Sequence, residues 1–412
     1  MQMKVVMISL DSVRSDFFGP ESRTEDTPNI DRICEQGAYF PETIVQAPFT
    51  APSHGSMLTG ELPYDSGIRN FDGELRGDVE TVFEWAEDQG LETSAFLGSG
   101  MLKNRGFDSW DYKGYELLED VKQELKRDED VFCFVHYWNT HTPYKSKMPN
   151  SSPKNTLANA YLKVSETLGL KRGYMGPNDN SLREAWRLGY KFFWSHRMEE
   201  LRNLMREDEE RARKRMIQGY KSSIREADEY IGSVLQTLEE LDEEFVLIVT
   251  SDHGESFNEH GERDEFREFE HGYFLHQNVL RVPTVVYGDR IDAEKHTGKV
   301  RSIDIVPTIK ELISSDPGEE PEKGLFSGEN SLAYSESHRP PECDKKSVQD
   351  KRRKVIQANG EPEFLELPGE SPAEPSEQLK EELERHVRNE RENKKASEED
   401  KIKEQLENLG YR

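Results

Sequence analysis

An α/β fold, with a large and mostly parallel sheet flanked by helices, is what this sequence predicts. Short apolar runs alternate with segments of helix-like apolar spacing, the pattern of strands joined by crossover helices. The 412 residues, 33% of them apolar, suffice for one large core and a small appended unit. Asp11, His136 and the pair Asp252-His253 each follow an apolar run. Open parallel sheets place their ligands there, beyond the carboxyl ends of the strands, and one pocket can collect these side chains.

Taken in order, the expected strands are Val5–Leu10, Thr93–Leu97, Val131–His136, Phe245–Thr250 and Val282–Tyr287. Helical spacing covers Val79–Gln89 and Ile217–Leu241. Residues 145–215 read as an insertion. Its first half, rich in Asn, Ser and Lys, has the composition of an exposed loop, and Met198–Lys214 that of a charged helix with a thin apolar stripe. Such a helix is a solvated surface element, or alternatively a substrate lid or dimer contact. After Ser314-Ser-Asp-Pro317 the chain becomes charged and loop-like. Lys354-Val-Ile-Gln357 and Glu363-Phe-Leu-Glu-Leu367 read as antiparallel strands, and residues 375–409 as a polar helix with apolar positions Leu379, Leu383, Ile402, Leu406 and Leu409. The expected division is a catalytic domain over 1–320, carrying the 145–215 helical insertion, and a small C-terminal α+β subdomain with a charged helical tail over 321–412.

The net charge of −27 argues against nucleic acid as a partner. A salt-adapted, halophilic cytoplasm explains it, and so does an ordinary acidic protein with an acidic tail. No run approaches the roughly 20 apolar residues that span a bilayer. Met1-Gln-Met-Lys4 leads directly into the first strand, so no signal peptide is expected. Cys34, Cys133 and Cys343 are odd in number, which excludes a full disulfide framework; Cys133, inside an apolar run, reads as core. The expected compartment is a reducing cytoplasm. His196, His296, His338 and His386 stand in polar contexts and read as solvent-facing.

The chemistry concentrates in Thr50-Ala-Pro-Ser-His-Gly-Ser-Met-Leu-Thr-Gly60, read with Asp11 and Asp252-His253. A hydroxyl is a weak nucleophile at neutral pH unless a base or metal helps remove its proton. Two carboxylates and an imidazole at strand ends are suited to hold that metal. Thr50 is then an alkoxide nucleophile on a divalent cation, at the start of a helix whose first-turn N–H groups suit a tetrahedral anion. The plainer alternatives are Thr50 as a helix N-cap, and Asp11 or Asp252 as caps. Imidazole shifts the metal from calcium toward manganese or zinc, with magnesium and calcium still open. A second metal would need further ligands, for which His141, His260 and His271 are available.

Several stretches together carry a family resemblance. They are Lys4-Val-Val-Met-Ile-Ser-Leu-Asp11-Ser-Val-Arg14-Ser-Asp16, Thr27-Pro-Asn-Ile-Asp31, Gly37-Ala-Tyr-Phe40, Thr50–Gly60, and Phe245-Val-Leu-Ile-Val-Thr-Ser-Asp252-His253-Gly-Glu255. Leu280-Arg-Val-Pro283, Ser302-Ile-Asp-Ile-Val-Pro307 and Leu406–Tyr411 complete the set. The chain resembles the sulfatase family of the alkaline phosphatase superfamily, in that order and over most of its length. The resemblance implies the alkaline-phosphatase-like sulfatase fold and metal ligation by Asp11, Thr50, Asp252 and His253. It further implies that His141, in His141-Thr-Pro-Tyr144, protonates the leaving group. His271 falls where sulfatases carry an oxyanion-binding Lys. His54 occupies the place of the motif's Arg and either contacts substrate or covers the nucleophile loop. His136 supports His141, binds a second metal or is a satisfied core histidine. His276 reads as structural.

The departures matter equally. Most sulfatases hold a Cys or Ser that becomes formylglycine, and Thr50 cannot form that aldehyde. The sulfate-contacting Lys and His of the family have no counterpart at Gly98-Ser-Gly-Met-Leu102, and Ser12 replaces an Asp. The expectation is a metal-dependent hydrolase of sulfuric or phosphoric mono- or diesters, leaning toward phosphorus and so toward phosphodiesterase activity. Its substrate would be a small molecule or a glycan, its cofactor one divalent ion, with no nucleic acid and no membrane span. A phosphoryl transferase of the same superfamily is the alternative, and a non-catalytic pseudoenzyme a weaker one.

Overall fold

The computed structural model describes residues 3–97, 109–111, 117–142, 144, 199, 201–260, 271–314, 323–327, 332–339, 344–358 and 361–408, with backbone only for 109–111, 117 and 394–408. Expectations for residues 98–102, His196, Cys343, 409–411 and most of 145–215 lie outside this set. The chain forms two compact units. The first comprises residues 1–43, 81–271 and 281–297, and the second residues 44–80, 272–280 and 298–412.

The first unit holds an α/β sheet of strands β1 (Met3–Leu10), β2 (Ala38–Ile44), β3 (Glu92–Leu97), β4 (Ser109–Asp111), β5 (Val131–Tyr137), β6 (Glu244–Ser251), β7 (Arg281–Gly288) and β8 (Glu294–Lys295). They run in the order β4-β3-β5-β1-β6-β7-β2-β8. β1 lies parallel to both β5 and β6, while β7 runs antiparallel to β6. The five strands read from the sequence are all present, each longer by one or two residues. Strands buried on both faces are apolar almost throughout. Only the first residue of β1, Met3, escapes full burial. Lys4 is the exception in character, and its ammonium is compensated: Nζ donates to the carbonyls of Arg127 and Glu129, both at 2.6 Å, and pairs with Glu243 at 3.2 Å.

One long helix, Glu209–Glu240, shares a single buried cluster with residues of β1, β5 and β6 through Met216, Tyr220, Ile224, Ala227, Ile231, Val234, Leu235 and Leu238. Those positions recur at helical spacing. Asp208 caps the helix by accepting from the Arg211 amide at 3.1 Å. The sequence read two helices here, the charged Met198–Lys214 and Ile217–Leu241; the end of the first and nearly all of the second form this one helix. The helix expected at Val79–Gln89 is Val82–Asp88, set in place by a reciprocal capping box between Thr81 and Glu84.

The second unit carries a small antiparallel sheet of Ala333–Ser337, Lys345–Gln349, Arg353–Gln357, Glu363–Glu366 and Ser371–Pro372, in that order. The helix Glu377–Asn408 packs on it, with Leu379 and Leu383 buried among Tyr64, Tyr334, Val348 and Val355. Three histidines expected to face solvent do not. His386, one turn beyond Leu383, is buried, with Nδ1 2.9 Å from the Tyr64 hydroxyl and its ring stacked on Tyr334. His296 stacks on Phe40 at 4.4 Å, and His338 sits half-buried beside Arg69, Glu336 and Asp344. Polar chain neighbours say nothing of which face a side chain occupies; the i, i+4, i+7 spacing of Leu379, Leu383 and His386 does. Among the described residues no helix is long and apolar enough to cross a membrane.

The long helix also fixes the turn after β1. Fully buried Tyr220 donates from its hydroxyl to the Ser12 carbonyl at 2.7 Å and accepts from the Arg14 amide at 2.8 Å. Ser12 has φ +57°, a left-handed conformation that side chains seldom adopt unaided. Tyr220→Phe strands two buried backbone groups, and urea unfolding is expected to show a loss of about 1–3 kcal/mol. A loss within a few tenths of a kcal/mol would mean that the turn holds itself.

Candidate active site and metal centre

Three neighbouring strands deliver the first unit's polar cluster at one level. Leu10 is in register with Tyr137 on β5 and with Ser251 on β6. The chain leaves the sheet at these points, and its amides knit the exits together: Asp11 N–H donates to the Tyr137 carbonyl at 3.0 Å, and Asp252 N–H to that of Leu10 at 3.2 Å. The Ser251 hydroxyl accepts from Val13 N–H and lies 2.7 Å from the carbonyls of Leu10 and His253. Asp11, His136, Asp252 and His253 are therefore brought together, as the sequence expected.

Their orientation is equally determined. Asp252 Oδ1 accepts from the amides of Ser12 at 2.9 Å and His253 at 2.8 Å, which turns Oδ2 toward the cluster. His253 Nδ1 lies 2.8 Å from the Gly254 carbonyl. That acceptor requires the proton on Nδ1, so the lone pair belongs to Nε2. Nε2 faces Asp252 Oδ2 at 3.5 Å and Asp11 Oδ1 at 4.0 Å. Donor atoms of Asp11, Asp252 and His253 all lie within 4.8 Å of one another. Neither Asp11 oxygen has a hydrogen-bond partner among the described residues, so Asp11 is no helix cap.

Both carboxylates are fully buried. Burial, and then the charge of Asp252, push the Asp11 carboxyl up to about 7. Burial likewise lowers the pKa of His136, His141 and His253, favouring neutral imidazoles. Two buried carboxylates with an aimed imidazole lone pair fit a divalent cation, whose charge removes the repulsion between them. Asp11, Asp252 and His253 would hold it.

Around this trio lie His141 and His271, with ring centroids 5.1 Å apart, and His271 stands 4.2 Å from the His253 ring. His141 Nδ1 approaches the carbonyl of Thr142, leaving Nε2 as the ring's other working atom. Sequence reasoning gave no role to Glu255. It is fully buried, with Oε1 3.2 Å from His271 Nδ1 and Oε2 accepting from the Tyr144 hydroxyl at 3.1 Å. Burial raises its carboxyl to about 7. Its only signal in the sequence is its place two residues beyond Asp252-His253, where a Glu reads as surface charge.

Thr50 and His54 belong to the second unit. The helix Thr50–Thr59 starts at Thr50 itself, with Phe49 as the extended N-cap residue and no side-chain capping bond. Thr50 is thus not the cap, and Pro52 falls in the first turn as expected. Thr50 and His54 are both buried. Gly60 ends the helix at φ +77°, its amide bonded to the Ser56 carbonyl. His276 Nδ1 lies 3.4 Å from Glu370, and His260 is exposed.

The sequence model of the family described as Sulfatase matches residues 4–315. This chain belongs to the sulfatase family. It is 23% identical over 336 residues to the iduronate 2-sulfatase of Mus musculus, covering 69% of this chain and 59% of that protein. To the N-acetylglucosamine-6-O-sulfatase of Bacteroides thetaiotaomicron it is 27% identical over 113 residues, or 24% of this chain and 20% of that one. The chain therefore spans less than two thirds of the length of either relative. Among solved structures, it superposes on a protein in complex with its substrate D-glucosamine-2-N,6-O-disulfate with TM-score 0.67 and 14% identity, over 95% of this chain and 98% of that one. The phosphonate monoester hydrolase of Agrobacterium radiobacter gives TM-score 0.59 and 16% identity, over 95% of both chains. Sulfatase-family folding thus extends beyond the span of the sequence match.

The raised carboxyls have a consequence for stability. Folded Asp11 and Glu255 keep protons that the unfolded chain releases near 3.8 and 4.5. Their contribution is full below those values and is lost as pH rises through about 7. Asp11→Asn should remove the Asp11 share, raising the Tm of metal-free protein above pH 7 by a few degrees. Saturating Mn²⁺ or Zn²⁺ should raise the Tm of the wild type and not that of the variant. Thermal scans from pH 4 to 8 check both; parallel curves for the two proteins would contradict the assignment.

Proposed function

We propose that this sulfatase-family chain is a metal-dependent hydrolase of sulfuric or phosphoric esters. The observation that carries the reading is the buried trio of Asp11, Asp252 and His253, with its outward lone pair and unpartnered Asp11 oxygens, beside the imidazoles of His141 and His271. When bound there, a divalent cation supplies Lewis acidity, lowering a hydroxyl pKa and neutralising the ester's charge. Mn²⁺ or Zn²⁺ suits the nitrogen donor better than Ca²⁺ or Mg²⁺.

Thr50, the first residue of its helix, is the nucleophile on sulfur or phosphorus in this reading. First-turn amides of that helix favour the tetrahedral anion, and His54, one turn on, is a donor to its oxygens. His141, in the imidazolium form that burial opposes and the Asp11 carboxylate favours, gives its Nε2 proton to the leaving oxygen, and His271, oriented through Glu255, contacts the substrate's oxyanion. Water then cleaves the threonyl ester. Thr50 carries no route to formylglycine, whose hemiacetal lets sulfate leave by elimination. A phosphothreonine is instead attacked directly, so phosphate mono- or diesters are the favoured class. Named relatives act on sulfated sugars and phosphonate esters, which share the tetrahedral centre. A small-molecule or glycan ester is the proposed substrate, and a reducing cytoplasm, matching the unpaired Cys34 and Cys133, the proposed compartment.

Turnover of a panel of aryl sulfate, phosphate monoester, phosphodiester and phosphonate substrates tests the class. Phosphorus esters should exceed aryl sulfate; a tenfold advantage for sulfate, about 1.4 kcal/mol in the barrier, would reverse the preference. Thr50→Ala should cost about 10³-fold or more in kcat, and unchanged turnover would remove Thr50 from the chemistry.

The acid is tested through the leaving group. His141→Ala should slow an alkyl ester by about 10²–10⁴-fold and a nitrophenyl ester far less, with loss of the alkaline limb of the rate profile. Equal slowing of both esters would make His141 a binding residue.

A further inference from the structure

We propose that His136 is itself a metal ligand, completing with Asp11, Asp252 and His253 a centre of two carboxylates and two imidazoles that selects a transition-metal dication over calcium. This rests on the reading that the trio holds a metal, and adds to it a fourth donor from β5. The sequence left His136 open between core residue, helper of His141 and second-metal ligand. Its place in the sheet narrows the choice.

His136 is 1% exposed, pointing from the end of a strand whose every other residue is also buried. Its Nε2 lies 3.3 Å from Asp11 Oδ2 and 3.8 Å from Asp252 Oδ2. His253 Nε2 faces the same two carboxylates at 4.0 and 3.5 Å. Each imidazole nitrogen therefore lies within 4.0 Å of an oxygen of both acids. Bonds of about 2.0–2.2 Å place neighbouring ligand atoms of one ion roughly 3–3.5 Å apart, close to the shorter of these separations. The 3.3 Å approach to Asp11 is also not a hydrogen bond, since neither Asp11 oxygen has such a partner among the described residues. A histidine placed only to orient Asp11 would make that bond. The ladder explains why the position is fixed: His136 pairs with Ser9 on β1 and Leu97 on β3, with neighbours on both sides.

Two imidazole nitrogens change the metal. Calcium takes six to eight oxygens, whereas a mixed nitrogen and carboxylate set suits Mn²⁺, Fe²⁺, Co²⁺ or Zn²⁺. The difference between ligand and positioning residue is measurable without turnover, by counting the nitrogens that touch the ion.

The experiment uses the metal-free full chain loaded with Mn²⁺. Pulsed EPR counts the coupled imidazole nitrogens, and calorimetry measures Mn²⁺, Zn²⁺ and Ca²⁺ affinities. Wild type should show two coupled imidazoles, and His136→Ala and His253→Ala one each. The preference for Zn²⁺ over Ca²⁺ should fall at least tenfold in His136→Ala. His136→Gln, which keeps bulk and polarity, serves if the alanine variant does not fold. One coupled imidazole in the wild type, or two in His136→Ala, overturns the proposal while leaving a metal on the trio. Wild-type affinity in Asp252→Asn instead overturns the trio itself, and this inference with it.

Discussion

Burying Asp11 beside Asp252 is the costly act on which the first unit is built. Two carboxylates with donor atoms within 4.8 Å of each other, both inaccessible to water, repel strongly in a low-dielectric interior. The fold tolerates the arrangement by surrounding it with fixed dipoles. Amides of Ser12 and His253 hold one Asp252 oxygen, and Tyr220 reaches from the long helix to hold the strained Ser12 turn. These contacts orient Asp252 without cancelling its charge, and among the described residues neither Asp11 oxygen accepts a hydrogen bond. A divalent cation held there, as proposed, would offset that repulsion at neutral pH.

The imidazoles follow from the same constraint. Each is buried and so favours its neutral form, the form that ligates metal and, for His253, is locked by the Gly254 carbonyl. Glu255 extends the scheme outward. Between Tyr144 and His271 it fixes one histidine ring close to the His253 ring. In the second unit the helix Thr50–Thr59 is entered from the extended residue Phe49, with Thr50 as its first residue.

Much of this was legible in the sequence, for physical reasons that differ by element. β1, β5 and β6 announce themselves because a strand buried on both faces must be apolar, and the polar residue that ends each run marks the sheet's carboxyl edge. Strands without a continuous apolar run were missed. β2 contains Pro41 and Glu42, which break the apolar pattern. Ala333–Ser337 is fully buried yet polar, because Ser335 and Ser337 bond to the carbonyls of Val45 and Gly272 and Glu336 pairs with Arg69. Such burial is paid for by partners distant in the chain, invisible to a local reading. The same holds for Glu255, whose partners Tyr144 and His271 lie 111 and 16 residues away.

The central claim, that the strand-end acids and imidazole hold a divalent cation, is tested most directly by anomalous diffraction from crystals soaked with Mn²⁺. Data collected on both sides of the manganese edge should show one strong peak within about 2.0–2.3 Å of oxygens of Asp11 and Asp252 and of His253 Nε2. A peak confined to other residues, or no peak at a concentration that saturates the protein in solution, would contradict it.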